Sequence, residues 1–137
     1  MMRFFMSAGF AIVLALGAVG CVAGGEEDLG AATEALLSAN TRSLDFGTVA
    51  LGTPRTLYVT LSNNGAVNDD LTSETSTLPD YTIGTVVPCV RPATAERIAI
   101  TFRPSSVGTQ TGTVTFRYTE GGVSQSPIAV AVTGIGR

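Results

Sequence analysis

From Ser43 to the C-terminus, apolar residues recur at every second position in one segment after another. Leu44 and Phe46 flank Asp45, and Leu57, Val59 and Leu61 alternate with Thr56, Tyr58 and Thr60. Tyr81 and Ile83 flank Thr82, and Ile98, Ile100 and Phe102 alternate with Arg97, Ala99, Thr101 and Arg103. Val114, Phe116 and Tyr118 follow the same rule, as do Ile128, Val130 and Val132. A period of two places successive side chains on opposite faces, so each segment reads as a strand with one buried and one solvated face. Turn residues fall between the segments: Gly52-Thr53-Pro54, Asn63-Asn64-Gly65, Pro79-Asp80, Pro88, Pro104 to Gly108, Gly121-Gly122 and Pro127. Six strands are legible, and a seventh is expected near Val86-Val87. Short strands at this spacing predict an antiparallel β-sandwich. Gly47 is expected to permit a bend or bulge in the first strand. Asn63-Asn64-Gly65 is expected to end the second strand because Asn and Gly tolerate positive φ. The stretch NNGAVNDDLTSE reads as a polar loop between strands.

The N-terminal part is written differently. Arg3 is followed by an uncharged run from Phe4 to Ala23, and small residues precede Cys21. A basic start, an apolar middle and a small-residue exit make a secretory signal. The run is close to the roughly 20 residues that a spanning helix needs, so an uncleaved anchor is the alternative. Four glycines and the acidic Glu26, Glu27 and Asp28 after the run argue against it. Ala18-Val19-Gly20-Cys21 resembles the lipobox of bacterial lipoproteins, with a good fit at Gly20 and Cys21 and a departure at Ala18, where the pattern prefers Leu. The resemblance implies diacylglycerol on the Cys21 thiol, with Cys21 as the first mature residue. The same residues also satisfy ordinary small-x-small cleavage, which would leave a soluble secreted or periplasmic chain. A lipid chain contributes about 0.8 kcal/mol per buried methylene, and stable anchoring takes more than one chain. Residues 22–42 are acidic, then rich in Gly, Ala and polar residues, and read as a tether with a helical turn around Thr33 to Ala39. The expected organisation is a signal peptide over 1–20, a tether over 21–42 and a β-sandwich over 43–137.

The landmarks Phe46-Gly47, Val49, Gly52, Asn63-Asn64-Gly65, Phe102, Pro104, Gly108 and Val114 occur in a fixed order. That order resembles the ASH/Hydin-type immunoglobulin-like domains, relatives of the major sperm protein (MSP) fold. The resemblance covers Ser43 to the C-terminus and implies an all-β, seven-stranded antiparallel immunoglobulin-like sandwich. It implies little about function, because the fold hosts many scaffolding roles. Bacterial members of the family often carry two cysteines. Cys89 fits the first, but Ala95-Glu96 stand near the second, so the resemblance leaves the usual disulfide without a partner. With Cys21 lipidated, Cys89 is expected to be a buried, inert thiol, with pairing between molecules as the alternative.

The residue inventory excludes most chemistry. Nucleophilic catalysis needs a base, usually His, and the chain has none. It also has no Lys, which removes a Ser-Lys dyad, and no clustered Cys or His for zinc. Asp69, Asp70 and Glu74 are close in sequence. A solvated loop is the expected setting, with a weak calcium site as the runner-up. Gly121-Gly122 has neither the helix nor the Lys of a phosphate-binding loop. The net charge of −3 and the scattered arginines do not suit nucleic acid.

Binding is the remaining class. The small outward residues Ala129 and Ala131 would let another strand or sheet approach closely, unless they sit on a covered face within the sandwich. The Thr-rich faces read equally well as solvated strand surface. The expected protein is a non-catalytic structural or protein-interaction module without a cofactor, metal or small-molecule substrate. It would be lipid-anchored through Cys21 in a bacterial envelope, at the outer membrane or its periplasmic face, with an unknown protein partner. The alternatives are a soluble secreted or periplasmic binding module, a carbohydrate-binding or hydrolytic sandwich, and a pilus-type chaperone. The absence of Trp and the presence of only three Tyr argue against the sugar-binding reading. A pilus-type chaperone would need two sandwich domains and a basic cleft, and only one domain fits.

Overall fold

The computed structural model describes residues 36–137. The expected signal peptide, the expected lipidation site Cys21 and most of the expected tether lie outside the described residues. The expected strands form β2 (Ser43–Val49), β3 (Arg55–Asn63), β5 (Tyr81–Ile83), β7 (Ala95–Phe102), β8 (Gly108–Glu120) and β10 (Ile128–Gly136). Four more complete the described set: β1 (Leu37–Ala39), β4 (Asp69–Ser76), β6 (Cys89–Val90) and β9 (Val123–Ser124). One sheet runs in the order β1-β3-β7-β5, and the other β2-β10-β8-β4-β6, with β9 paired to β8. The fold is all-β, and the two sheets close on one core as an immunoglobulin-like sandwich.

The core is the period-two pattern folded shut. Val59, Leu61, Ile98, Ile100 and Phe102 from one sheet meet Phe46, Val114, Phe116, Val130 and Val132 from the other. Near one end Phe46, Tyr81 and Phe102 form an aromatic cluster with ring centroids 4.6–5.7 Å apart. The Tyr81 hydroxyl donates to the Gln110 carbonyl at 2.7 Å, so its one polar atom is satisfied where the ring is buried. Gly134 lies beneath the Phe102 ring, where a Cβ would collide with it.

The structure corrects the sequence reading at five places. Ten strands are described instead of seven. The strand expected near Val86-Val87 is β6, two residues further on. β2 pairs with β10 in parallel, so the sandwich is not wholly antiparallel. The expected helical turn ending at Ala39 is, at Leu37–Ala39, an antiparallel edge strand on β3. Leu37 is buried there, and burying its side chain outweighs a helix propensity of a few tenths of a kcal/mol. Finally, NNGAVNDDLTSE is not one loop, because Asn63 ends β3 and the second half begins β4, between β8 and β6.

Two turn readings sharpen. Gly47 has φ +63°, and the β2–β10 register shifts by one residue beside it, which is the expected bulge. Its N–H donates to the Asp45 carboxylate at 2.8 Å. Asn63 ends β3 by a different device from positive φ. Its side chain is 1% exposed. Its amide donates to the carbonyls of Val67 and Val90, and its side-chain oxygen accepts from the Gly65 N–H at 2.7 Å. This is an Asx-type turn that fastens the loop to β6.

Candidate functional site

The polar strand β4 brings acidic side chains together at the end of the sandwich where β1 begins. Asp69 lies directly opposite Glu120 on β8 and Val90 on β6, whereas Asp70 lies opposite Thr119 and Cys89. Adjacent strand residues point to opposite faces. Asp69 therefore turns into the sandwich and is 0% exposed. Its two carboxylate oxygens, one of Asp70 and one of Glu120 are buried without a hydrogen-bond partner. Burial, reinforced by the charges of Glu120 and Asp70, pushes the Asp69 carboxyl up from 3.8 to about 7. The buried Tyr118 hydroxyl is also pushed up, first by burial and then by Asp69 and Glu120.

This geometry corrects the solvated-loop setting expected for these acids, since Asp69 is buried in β4, and it separates the residues of the runner-up calcium reading. Glu74 sits beyond an irregularity in the β4–β8 register, opposite Phe116, and is exposed. Asp69 and Asp70 face opposite ways, so the trio cannot close on one ion. Among the described residues no set of three or more His, Cys, Asp or Glu side chains is arranged to hold a metal. The chemistry open to Asp69, facing Glu120, is proton binding. The sequence reading missed Glu120. Its signal was the inward series Val114, Phe116, Tyr118, which carries Glu120 inward at the next step of two.

Cys89 lies in β6 and is half-buried. The expectation of an inert free thiol is corrected, because Cys89 is disulfide-bonded. Cys21 is the only other cysteine in the sequence.

The outer face of β10 is also reassigned. Ala129 and Ala131 are exposed and not buried between the sheets. Together with Ser43, Asp45, Thr111 and Thr133, Ala131 borders a shallow groove of about 230 Å³ across β2, β10 and β8. On the opposite sheet Thr56 and Thr101 share a hydroxyl hydrogen bond of 2.8 Å, as expected of solvated strand surface. At the end away from β1, Val107 is 74% exposed, and Leu51 and Ile135 are exposed nearby. The Leu51 N–H donates to the Arg137 carbonyl at 3.0 Å, which joins the β2–β3 turn to the C-terminal strand there.

No protein-family model matches the chain, and no curated protein does either. Solved structures do. The chain is similar to the ASH/PapD-like domain 7 of human CEP192, with a TM-score of 0.69, 12% identity, and 85% of this chain and 96% of that one covered. It is similar to WR4, an MSP family member of Caenorhabditis elegans, with a TM-score of 0.57, 12% identity, and 76% and 100% covered. The fold is that of the ASH and MSP immunoglobulin-like domains. A third similarity is to the VesB protease of Vibrio cholerae, with a TM-score of 0.61, 12% identity and 73% of this chain covered. There the chain spans only 32% of the other protein's length. At such identities the likeness carries the fold and no activity.

Proposed function

We propose that the chain is an exported, non-catalytic interaction module held at a bacterial cell envelope by a lipid on Cys21. The observation that carries the interaction reading is the exposed, small-residue outer face of β10 at Ala129 and Ala131, on a fold shared with ASH and MSP domains. β10 is paired on both sides, by β2 and β8, so it offers a face and not a free edge, and the small side chains of Ala129 and Ala131 let another surface pack closely on it. A non-catalytic role is supported by a chain without His or Lys, which leaves its hydroxyls without their usual activating base. Export and anchoring rest on the apolar run and on Ala18-Val19-Gly20-Cys21.

The disulfide at Cys89 favours a second reading. Within one chain only Cys21 can pair with Cys89, and a cysteine in a disulfide has no thiol left for diacylglycerol, so the lipid-anchored form requires Cys89 to pair with a second molecule. That form would be an unanchored secreted or periplasmic module.

Intact mass of the mature protein, produced with its own leader in a bacterium, separates the two. A mass beginning at Cys21 plus acyl groups, abolished in Cys21→Ser, supports the anchor. An unacylated mass that rises by two hydrogens on reduction supports the disulfide-closed, soluble form and refutes the lipid. A leader that is never removed refutes export by cleavage in either form.

A further inference from the structure

A buried carboxylate without partners is costly, because an ion removed from water must be paired, hydrogen-bonded or neutralised. Asp69 meets none of the first two conditions within the described chain: it is 0% exposed and neither oxygen has a partner. The neighbouring elements bring no compensating charge. Its own strand contributes Asp70, and β8 contributes Glu120, both negative. Also on β8, Tyr118 is buried and uncharged near neutral pH, and Arg117 lies exposed on the other face. On β6, Cys89 is disulfide-bonded and does not titrate, and Arg91, just beyond, is exposed. From β3, Asn63 is uncharged, and its amide and oxygen are bound to Val67, Val90 and Gly65. Arg42, before β2, bears on Tyr118 and is exposed.

We propose that Asp69, buried opposite Glu120, is a proton-binding site that closes the β1 end of the sandwich while Asp69 holds a proton and loosens that end when Asp69 ionises beside the Glu120 carboxylate. Cross-strand register puts the two residues on the same inner face. Apart from the disulfide at Cys89, the segments that repulsion would release are held by few bonds among the described residues. β6 meets β4 only at Asp69–Val90 and Asp70–Cys89, and the Leu71 N–H donates to the Pro88 carbonyl at 2.9 Å beside them. The loop after β3 is fastened through Asn63.

The sign follows from linkage. The Asp69 carboxyl is raised from 3.8 to about 7 on folding, so between those values the folded chain holds a proton that the unfolded chain has lost. Stability therefore falls as pH rises through that window and levels off above it.

The test is the urea unfolding midpoint of the full chain from about pH 4 to pH 8, with amide exchange at Val90 and the loop after Asn63. The wild type is expected to lose midpoint steadily with rising pH, and those amides are expected to exchange faster once intrinsic rates are removed. Asp69→Asn should flatten this component and be the more stable protein at the alkaline end. Glu120→Gln should shift the transition to lower pH, which keeps the test decisive if Asp69→Asn does not fold. A wild-type midpoint that is flat or rises across the window overturns the proposal, as does an unmoved transition in Glu120→Gln. A midpoint restored at the alkaline end by calcium chloride in the wild type but not in Asp69→Asn also overturns it, because a cation would then be the neutralising partner.

Discussion

Asn63 does more at this end of the molecule than its place in a turn suggests. Three hydrogen bonds leave one buried amide, joining β3, the following loop and β6. Asn63→Ala should cost about 2 kcal/mol, because it strands buried backbone groups as well as removing bonds. Urea unfolding reads that loss, and Asn63→Asp should not rescue it, since a carboxylate cannot donate to the Val67 and Val90 carbonyls. Gly134 is the counterpart at the other end. Its lack of a side chain lets Phe102 lie against β10, and Gly134→Ala should destabilise by about 1–3 kcal/mol through overpacking. Calorimetry checks it, and an unchanged melting temperature would show that the aromatic cluster yields easily. At this scale the sequence was legible at Gly47, where a glycine inside an alternating strand announced a bulge. Asn63 was read as a turn residue, but its buried bonding to Val90 was not legible, because that partner is 27 residues away.

Among the elements, β3 and β4 show opposite relations between pattern and burial. β3 alternates cleanly, and its Val59 is fully buried as the spacing predicted. Val59→Asp should cost about 4 kcal/mol or more, since it buries an unpaired charge among apolar neighbours. Thermal melting decides this, and an unchanged transition would be incompatible with the burial of β3. In β4 the residues DDLTSETS carry no apolar alternation, yet they form a strand of eight residues. Its backbone pairs with β8 along most of its length and with β6 at its start. The ladder stabilises that backbone whatever the side chains are, and a hydrophobic pattern cannot report it. β1 is a third case. Three residues are too few to show a period, and only pairing with Asn63, Ser62 and Leu61 defines the strand. A chain beginning at Ser43 should therefore melt below one beginning at Leu36, because it uncovers the edge of β3 and removes buried Leu37.

Taken whole, the sandwich has two unlike ends. One holds the start of β1, the buried carboxylates and the short strand of Cys89. The other carries exposed Val107, Leu51 and Ile135 beside Arg137. Between them, the outer face of β10 offers Ala129 and Ala131 to solvent. Ala131→Arg should leave stability within about 0.5 kcal/mol, as expected of an exposed position, while reducing any association through that face. Unfolding midpoints and in-cell cross-linking of the full-length protein check the two parts. Lost stability would mean that the face is covered in the folded chain.

By itself the sequence determined that this chain forms strands, which side chains fill the core and where the main turns fall. Those properties are local: alternation, glycine and proline act within a few residues of themselves. Only the tertiary structure decided that β2 runs parallel to β10, that an acidic segment is a strand flanked by β8 and β6, and that Asp69 faces Glu120 in the interior. Those are relations between residues tens of positions apart. They follow from closing two sheets over one core, a constraint in which every strand takes part and which no single segment carries.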